Sequence, residues 1–144
     1  MNIQLTEKDE LIFTEKAYTV YCQCMYKPTY EAYRRKMNNY FIDKSTKIFI
    51  CLNEDKIVGI IILTINNENS AEIVGIAVHS SFHKQGVGSF MVRESANKMN
   101  LHMILAETDD DAVGFYKNMG FDITKEVKHY DNGSVDRYHC LLTL

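Results

Sequence analysis

The chain has 144 residues, enough to bury one hydrophobic core, and its 46% hydrophobic and 24% charged residues are the balance of an ordinary globular protein. A formal net charge of −3, with basic residues scattered apart from Arg34, Arg35 and Lys36, argues against a general nucleic-acid binder, because affinity for a phosphate backbone needs clustered cations. No apolar run reaches the roughly 20 residues of a membrane span, and the opening residues lack the apolar stretch of a secretory signal. A single domain over 1–144 in the cytoplasm is the expectation, with neither membrane nor nucleic acid as partner.

In chain order, "NIQLT" alternates and suggests a first strand. Residues 6–26 then carry Leu11, Ala17, Tyr18, Tyr21 and Met25 at near-helical spacing. Pro28 breaks the pattern, and "TYEAYRRKMNNYF" resumes it as a second helix with the proline just before its start. "KIFICLN" and "KIVGIIILTI" flank the turn residues "NED" and read as a hairpin; after "NNENS", "AEIVGIAVH" makes the third strand of an antiparallel meander.

From Gly86 to Met99, apolar Val87, Met91, Val92, Ala96 and Met99 mark an amphipathic helix, and "HMILAET" is a short buried strand. The strand-helix-strand unit over 71–107 should bring its two strands parallel. "DDDAVGFYKNMG" reads as a last helix with acidic residues at its start and Gly120 at its end. "FDITKEVKHY" and "SVDRYHCLLTL" close the chain as a hairpin around Asn132-Gly133. The fold class is therefore α+β, or mixed α/β, with helices packed on a mixed sheet.

Metal chemistry has little support. The four cysteines include one close pair, Cys22 and Cys24, without the two-residue gap and second pair of a zinc site, and the five histidines show no HExxH spacing. No metal is expected, and the cysteines read as small buried apolar residues.

"HSSFHKQGVGSF", residues 79–90, is the stretch that carries chemistry. It lies at a strand-to-helix junction, where unsatisfied helix N–H groups can hold an anion. Gly86 and Gly88 carry no β-carbons to block a phosphate, Lys84 adds a cation and Ser89 a hydroxyl; the same glycines would equally serve a plain tight turn. A P-loop is excluded because no lysine follows Gly88, and a dinucleotide fingerprint because Met91 stands where its third glycine belongs.

With its surroundings the stretch says more. "IVGIAVHSSFHKQGVGSFMV", followed after a strand by "AVGFYKNMGF", resembles the GNAT superfamily of acyl-CoA-dependent N-acyltransferases, whose loop reads Arg/Gln-x-x-Gly-x-Gly/Ala and whose later signature matches Ala112, Phe115-Tyr116 and Gly120-Phe121. The resemblance covers residues 47–144 well and the first 46 only through element order. It implies a central, mostly antiparallel sheet of six to seven strands flanked by about four helices.

It also implies acetyl-CoA as co-substrate, with the pyrophosphate on the backbone N–H groups of Lys84, Gln85, Gly86, Val87, Gly88 and Ser89, and His83 and Asp110 among the residues that bind it. The pantetheine arm would pair with backbone groups at the level of Ile76, Ala77 and Val78. The acceptor would be a primary amine of a small molecule or peptide, attacking the acetyl carbonyl directly. Tyr116 would protonate the departing thiolate, against a plain reading as a core aromatic on the stripe Ala112, Phe115, Tyr116 and Met119. Glu72 resembles the family's strand glutamate that serves as base, against a plain reading as a solvated strand residue.

Two positions depart from the pattern. His83 stands where the family has Arg or Gln, and can donate a hydrogen bond through its imidazole. Asp110 stands where many relatives carry Asn, and can cap the late helix. His79 and His129 read as surface residues or proton relays, and Tyr18, Tyr21, Tyr26, Tyr30 and Tyr33 as packing residues of which one or two line the acceptor pocket. A homodimer is open, since dimers are common in such proteins. The rival readings are a non-catalytic acyl-CoA sensor and an interaction module in which the glycine loop is only a turn.

Overall fold

The computed structural model describes residues 1–7 and 10–144. Its strands are β1 (Ile3–Glu7), β2 (Thr46–Asn53), β3 (Lys56–Asn67), β4 (Ser70–Val78), β5 (Met103–Thr108), β6 (Asp122–Tyr130) and β7 (Gly133–Thr143). Its α-helices are α1 (Glu15–Tyr21), α2 (Tyr30–Ile42), α3 (Val87–Met99) and α4 (Val113–Met119). The described strands form one sheet in the order β1-β2-β3-β4-β5-β7-β6, and β4–β5 is its only parallel pair.

The middle strands read as unbroken apolar runs because both of their faces are covered. Phe49, Cys51, Ile61, Leu63, Ala71 and Ile73 pack with Val87, Met91, Val92 and Ala96 of α3 and with Tyr116 and Phe121. On the other face Ile48, Ile50, Ile60 and Ile62 pack with Ala17, Val20 and Tyr21 of α1 and Tyr33 and Met37 of α2. Each such aliphatic burial contributes about 1.5–3 kcal/mol.

The helices at the N-terminal end are shorter than the apolar spacing predicts. Residues Glu10–Phe13 form a 3₁₀ turn, α1 begins only after Thr14, and a second 3₁₀ turn covers Cys22–Cys24. Lys8 and Asp9, within the helix predicted over 6–26, lie outside the described residues. The break has a tertiary cause. The Tyr30 hydroxyl donates to the Phe13 carbonyl at 2.8 Å and the buried Tyr33 hydroxyl to that of Ile12, so the carbonyls a continuous helix would use are held from α2. Thr14 then caps α1 through the Ala17 N–H, and Ile12 rather than Leu11 enters the core. Thr29, just after Pro28, caps α2 in the same way through Ala32.

The late helix also starts later than predicted, at Val113 instead of within the acidic run. Asp109 is the reason: its carboxylate accepts the N–H groups of Asp111 at 3.0 Å and Ala112 at 3.1 Å and closes a turn before the helix. The hairpin of β6 and β7 forms as expected, but β7 inserts between β5 and β6. No described helix is long and apolar enough to cross a membrane.

Candidate active site

The parallel pair comes apart. β4 and β5 are paired only from Ser70–Met103 to Ile73–Ala106, although β4 runs on to Val78 and β5 to Thr108. The separation begins at a bulge: Ile73 faces Leu63 and Gly75 faces Ile62, so Val74 has no partner on β3. Beyond it the two strands are no longer paired, and a cleft is left between their ends.

Hydrogen bonding in an antiparallel pair alternates, and the His79 N–H bonds the Val58 carbonyl at 2.8 Å, so Gly75 and Ala77 spend their backbone groups on β3. Ile76 and Val78 turn theirs toward the cleft. Of the three β4 residues named from the sequence, Ile76 and Val78 thus offer backbone groups to the cleft and Ala77 offers none.

The Val78 carbonyl is already engaged. It accepts from Gln23 Nε2 at 2.6 Å and from His83 Nε2 at 2.8 Å, the imidazole carrying its proton on Nε2 because a carbonyl can only accept. His83, at the position of the family's arginine or glutamine, therefore has its ring turned back onto the end of β4. Gln23 also donates to the Val20 carbonyl at 2.7 Å and ties the end of α1 to the same point. Nothing in the local sequence marks Gln23 for this task, since its partner is 55 residues away.

At the loop, the two glycines have different reasons to be there. Gly86 has φ of +83° and precedes α3 without a side-chain cap, and no atom lies within 4 Å of where a β-carbon would stand. Its neighbours Val87, Gly88 and Ser89 present first-turn N–H groups with no intrahelical partner. Gly88 instead answers a packing demand: a β-carbon there would come within 2.8 Å of the Phe115 ring. Lys84 has φ of +61° and is exposed, and Gln85 Nε2 donates to the Ser81 carbonyl at 3.1 Å, bracing the loop.

Tyr116 lies at the α4 side of the sheet, buried between the edges of Phe115 and Phe121 at centroid distances of 5.1 and 5.2 Å. Burial pushes its hydroxyl well above the usual phenol range, so it stays protonated. Glu72 is half-buried on β4 between Thr64 and Leu105, and alternation from Ala71 and Ile73 puts it on the α1/α2 face. The two residues thus lie on opposite faces of the sheet.

Asp110 corrects an expectation. It does not cap α4, which begins at Val113 without a side-chain cap; its carboxylate accepts from the Tyr138 hydroxyl at 2.7 Å and ties α4's approach to β7. His79 accepts the Ser81 N–H on Nδ1, and His129 pairs with the Ser134 hydroxyl on the far hairpin. Of the tyrosines, Tyr21 and Tyr33 are fully buried, Tyr18 and Tyr30 half-buried against them, and Tyr26 is 87% exposed. Glu107, at the free end of β5, was not singled out from the sequence. It is held by Lys128 at 2.9 Å and Arg137 at 3.2 Å, which keep its carboxyl below the usual range.

A loop cradle at a helix start, two parted parallel strands and a buried tyrosine on one face of the sheet are the parts a long phosphorylated thioester needs. The family model described as the Acetyltransferase (GNAT) family matches residues 14–121, which contain all three. The chain belongs to the GNAT acetyltransferase family. As a GNAT protein it has numerous counterparts among solved structures. A GNAT acetyltransferase from Elizabethkingia anophelis with acetyl-CoA bound superposes with a TM-score of 0.70 at 19% identity, over 99% of each chain. The ribosomal-protein-S18-alanine N-acetyltransferase of Escherichia coli gives 0.75 at 13% identity, over 99% of this chain and 94% of that one. The spermidine/spermine N-acetyltransferase of Vibrio cholerae gives 0.72 at 16%, over 98% and 92%. No curated protein matches the chain in sequence. At these identities the structural likeness is one of fold, and the enzyme class rests on the family.

Proposed function

We propose that this GNAT enzyme transfers the acetyl group of acetyl-CoA to a primary amine of a small molecule or peptide, within one domain spanning 1–144. The observation that carries the reading is the parted β4–β5 pair, with Ile76 turned into the gap and Glu72 and Tyr116 on opposite faces of the sheet. The residues present suit the cofactor. The open space at Gly86 and the free N–H groups of α3 can hold a pyrophosphate, and Ile76 can pair with an amide of the extended arm as an added strand would. When bound, acetyl-CoA supplies an activated acetyl group.

An alkylammonium has an ordinary pKa near 10, so the acceptor must lose a proton before it can attack. Glu72 is on the face from which an amine can approach, and takes that proton directly or through water. The cleft-facing N–H of Ile76, beside the bulge, polarises the acyl carbonyl. Tyr116 faces the departing sulfur from the other side. Its raised pKa keeps the hydroxyl a hydrogen-bond donor through the neutral range, ready to meet negative charge as it develops. The acceptors named for the E. coli and V. cholerae proteins, a ribosomal-protein alanine and spermidine or spermine, are amines of both classes.

Thiol release measured across polyamines, aminoglycosides, amino acids and peptide N-termini identifies the acceptor. With that acceptor, Tyr116→Phe should lower kcat about 100-fold, the low end for a lost proton donor, while the Kd for acetyl-CoA moves less than about threefold. Equal turnover in the variant would refute the role given to Tyr116.

A further inference from the structure

A second buried tyrosine hydroxyl stands against β4, and the chemistry above does not use it. Tyr21, on the last turn of α1, reaches β4 at the bulge, where a β-carbon on Gly75 would overlap its hydroxyl oxygen and lie 2.9 Å from its Cζ. The side chain has no room to leave. It is 1% exposed, and its ring packs on Tyr33 at 5.9 Å.

This position bears on the acyl group, on the reading that acetyl-CoA occupies the cleft. With phosphates at Gly86, the arm runs along β4 from Val78 toward Val74, four strand residues or roughly 13 Å, and its acyl end arrives at the bulge. Three directions are then open to a longer acyl chain. Straight ahead, the ladder resumes at Ile73–Ala106. Toward α4, the face of the sheet is closed by the core that holds the buried Tyr116 and Cys140. Toward α1, the Tyr21 hydroxyl stands against Gly75.

We propose that Tyr21 is a specificity-determining residue, the wall that admits an acetyl group and excludes propionyl and longer acyl groups. Gly75 is part of the device, because only a residue without a β-carbon lets the hydroxyl come down to the strand.

The test is calorimetric binding of CoA, acetyl-CoA, propionyl-CoA and butyryl-CoA to the wild type and to Tyr21→Phe, which removes the oxygen and keeps the ring. A methylene excluded from a shaped pocket is worth about 10–200-fold, so the wild type should bind propionyl-CoA at least about tenfold more weakly than acetyl-CoA. Tyr21→Phe should narrow that ratio about fivefold or more, and the ratio of transfer rates should narrow with it. A wild type indifferent to chain length, or a ratio unchanged in the variant, overturns the wall while leaving the cofactor reading intact. Failure of every CoA species to bind removes the cofactor reading and the wall together.

Discussion

Replacing Gly75 with alanine isolates the contact between α1 and the β4 bulge and needs no assumption about ligands. The new methyl group would overlap the Tyr21 hydroxyl and sit 2.9 and 3.1 Å from two ring carbons, while the ring itself is held in the core by Tyr33. Overpacking of this kind costs about 1–3 kcal/mol. Alanine's smaller freedom in the unfolded chain returns about 0.4–1 kcal/mol. The net loss is up to about 2.5 kcal/mol, or up to roughly 10 °C in Tm at about 2–4 °C per kcal/mol. Thermal and urea unfolding of Gly75→Ala, Tyr21→Phe and the double variant make the decisive cycle. Because phenylalanine lacks the overlapping oxygen, the double variant should be more stable than the two single costs predict, by at least about 1 kcal/mol. Simple additivity, or a neutral Gly75→Ala, would show that Tyr21 does not press on the strand.

Three further outcomes follow from the loop, the cleft and the buried phenols. Gly86→Ala must hold a side chain at φ of +83°, which costs about 1–2 kcal/mol, and its methyl enters the open space of the cradle. Gly86→Asn, which tolerates that conformation, should recover stability but not acetyl-CoA affinity; wild-type affinity in both variants would mean that the loop is only a turn. His83→Leu removes one of two donors to the Val78 carbonyl and should weaken acetyl-CoA binding by about 2–10-fold, the worth of one hydrogen bond. His83→Gln, with an amide donor, should restore it, and an unaffected leucine variant would rule out a positioning role. Tyr21, Tyr33 and Tyr116 all have pKa values raised by burial, so the folded state keeps three protons that the unfolded chain gives up above about pH 10. Their contribution to stability is complete below that pH and is lost as pH rises through it, by up to about 1.4 kcal/mol per group per pH unit. Urea titrations between pH 8 and 11 should show a shallower slope in Tyr116→Phe, by less than one third, because the thiols of Cys24, Cys51 and Cys140, also raised by burial, add to the slope in the same window.

The sheet could be read from the chain because its signals are local. "KIFICLN", "KIVGIIILTI" and "AEIVGIAVH" are apolar on both faces and separated by turn residues, and the helix after Gly86 shows its face through Val87, Met91, Val92 and Ala96. Two motifs, the glycine loop and Phe115-Tyr116, pointed to the family that the match over 14–121 establishes. Gly75 was legible in principle, since a glycine inside an apolar strand marks a bulge or a close backbone approach.

What escaped the sequence depends on partners far along the chain. The apolar spacing of residues 6–26 favours one helix, but hydroxyls from Tyr30 and Tyr33 take the carbonyls that would continue it. In the acidic run Asp109 and Asp110 look interchangeable, and Tyr138, 28 residues on, decides that Asp110 faces β7. Gly86 and Gly88 read as one motif, yet one answers to backbone conformation and the other to the Phe115 ring. His83 could have faced an anion or the strand, and the Val78 carbonyl draws it to the strand. Side-chain period and turn chemistry act over a few residues and survive in any single sequence. The direction of a polar group is set by whichever unsatisfied partner packing brings within about 3 Å, and only the assembled sheet puts those partners in place.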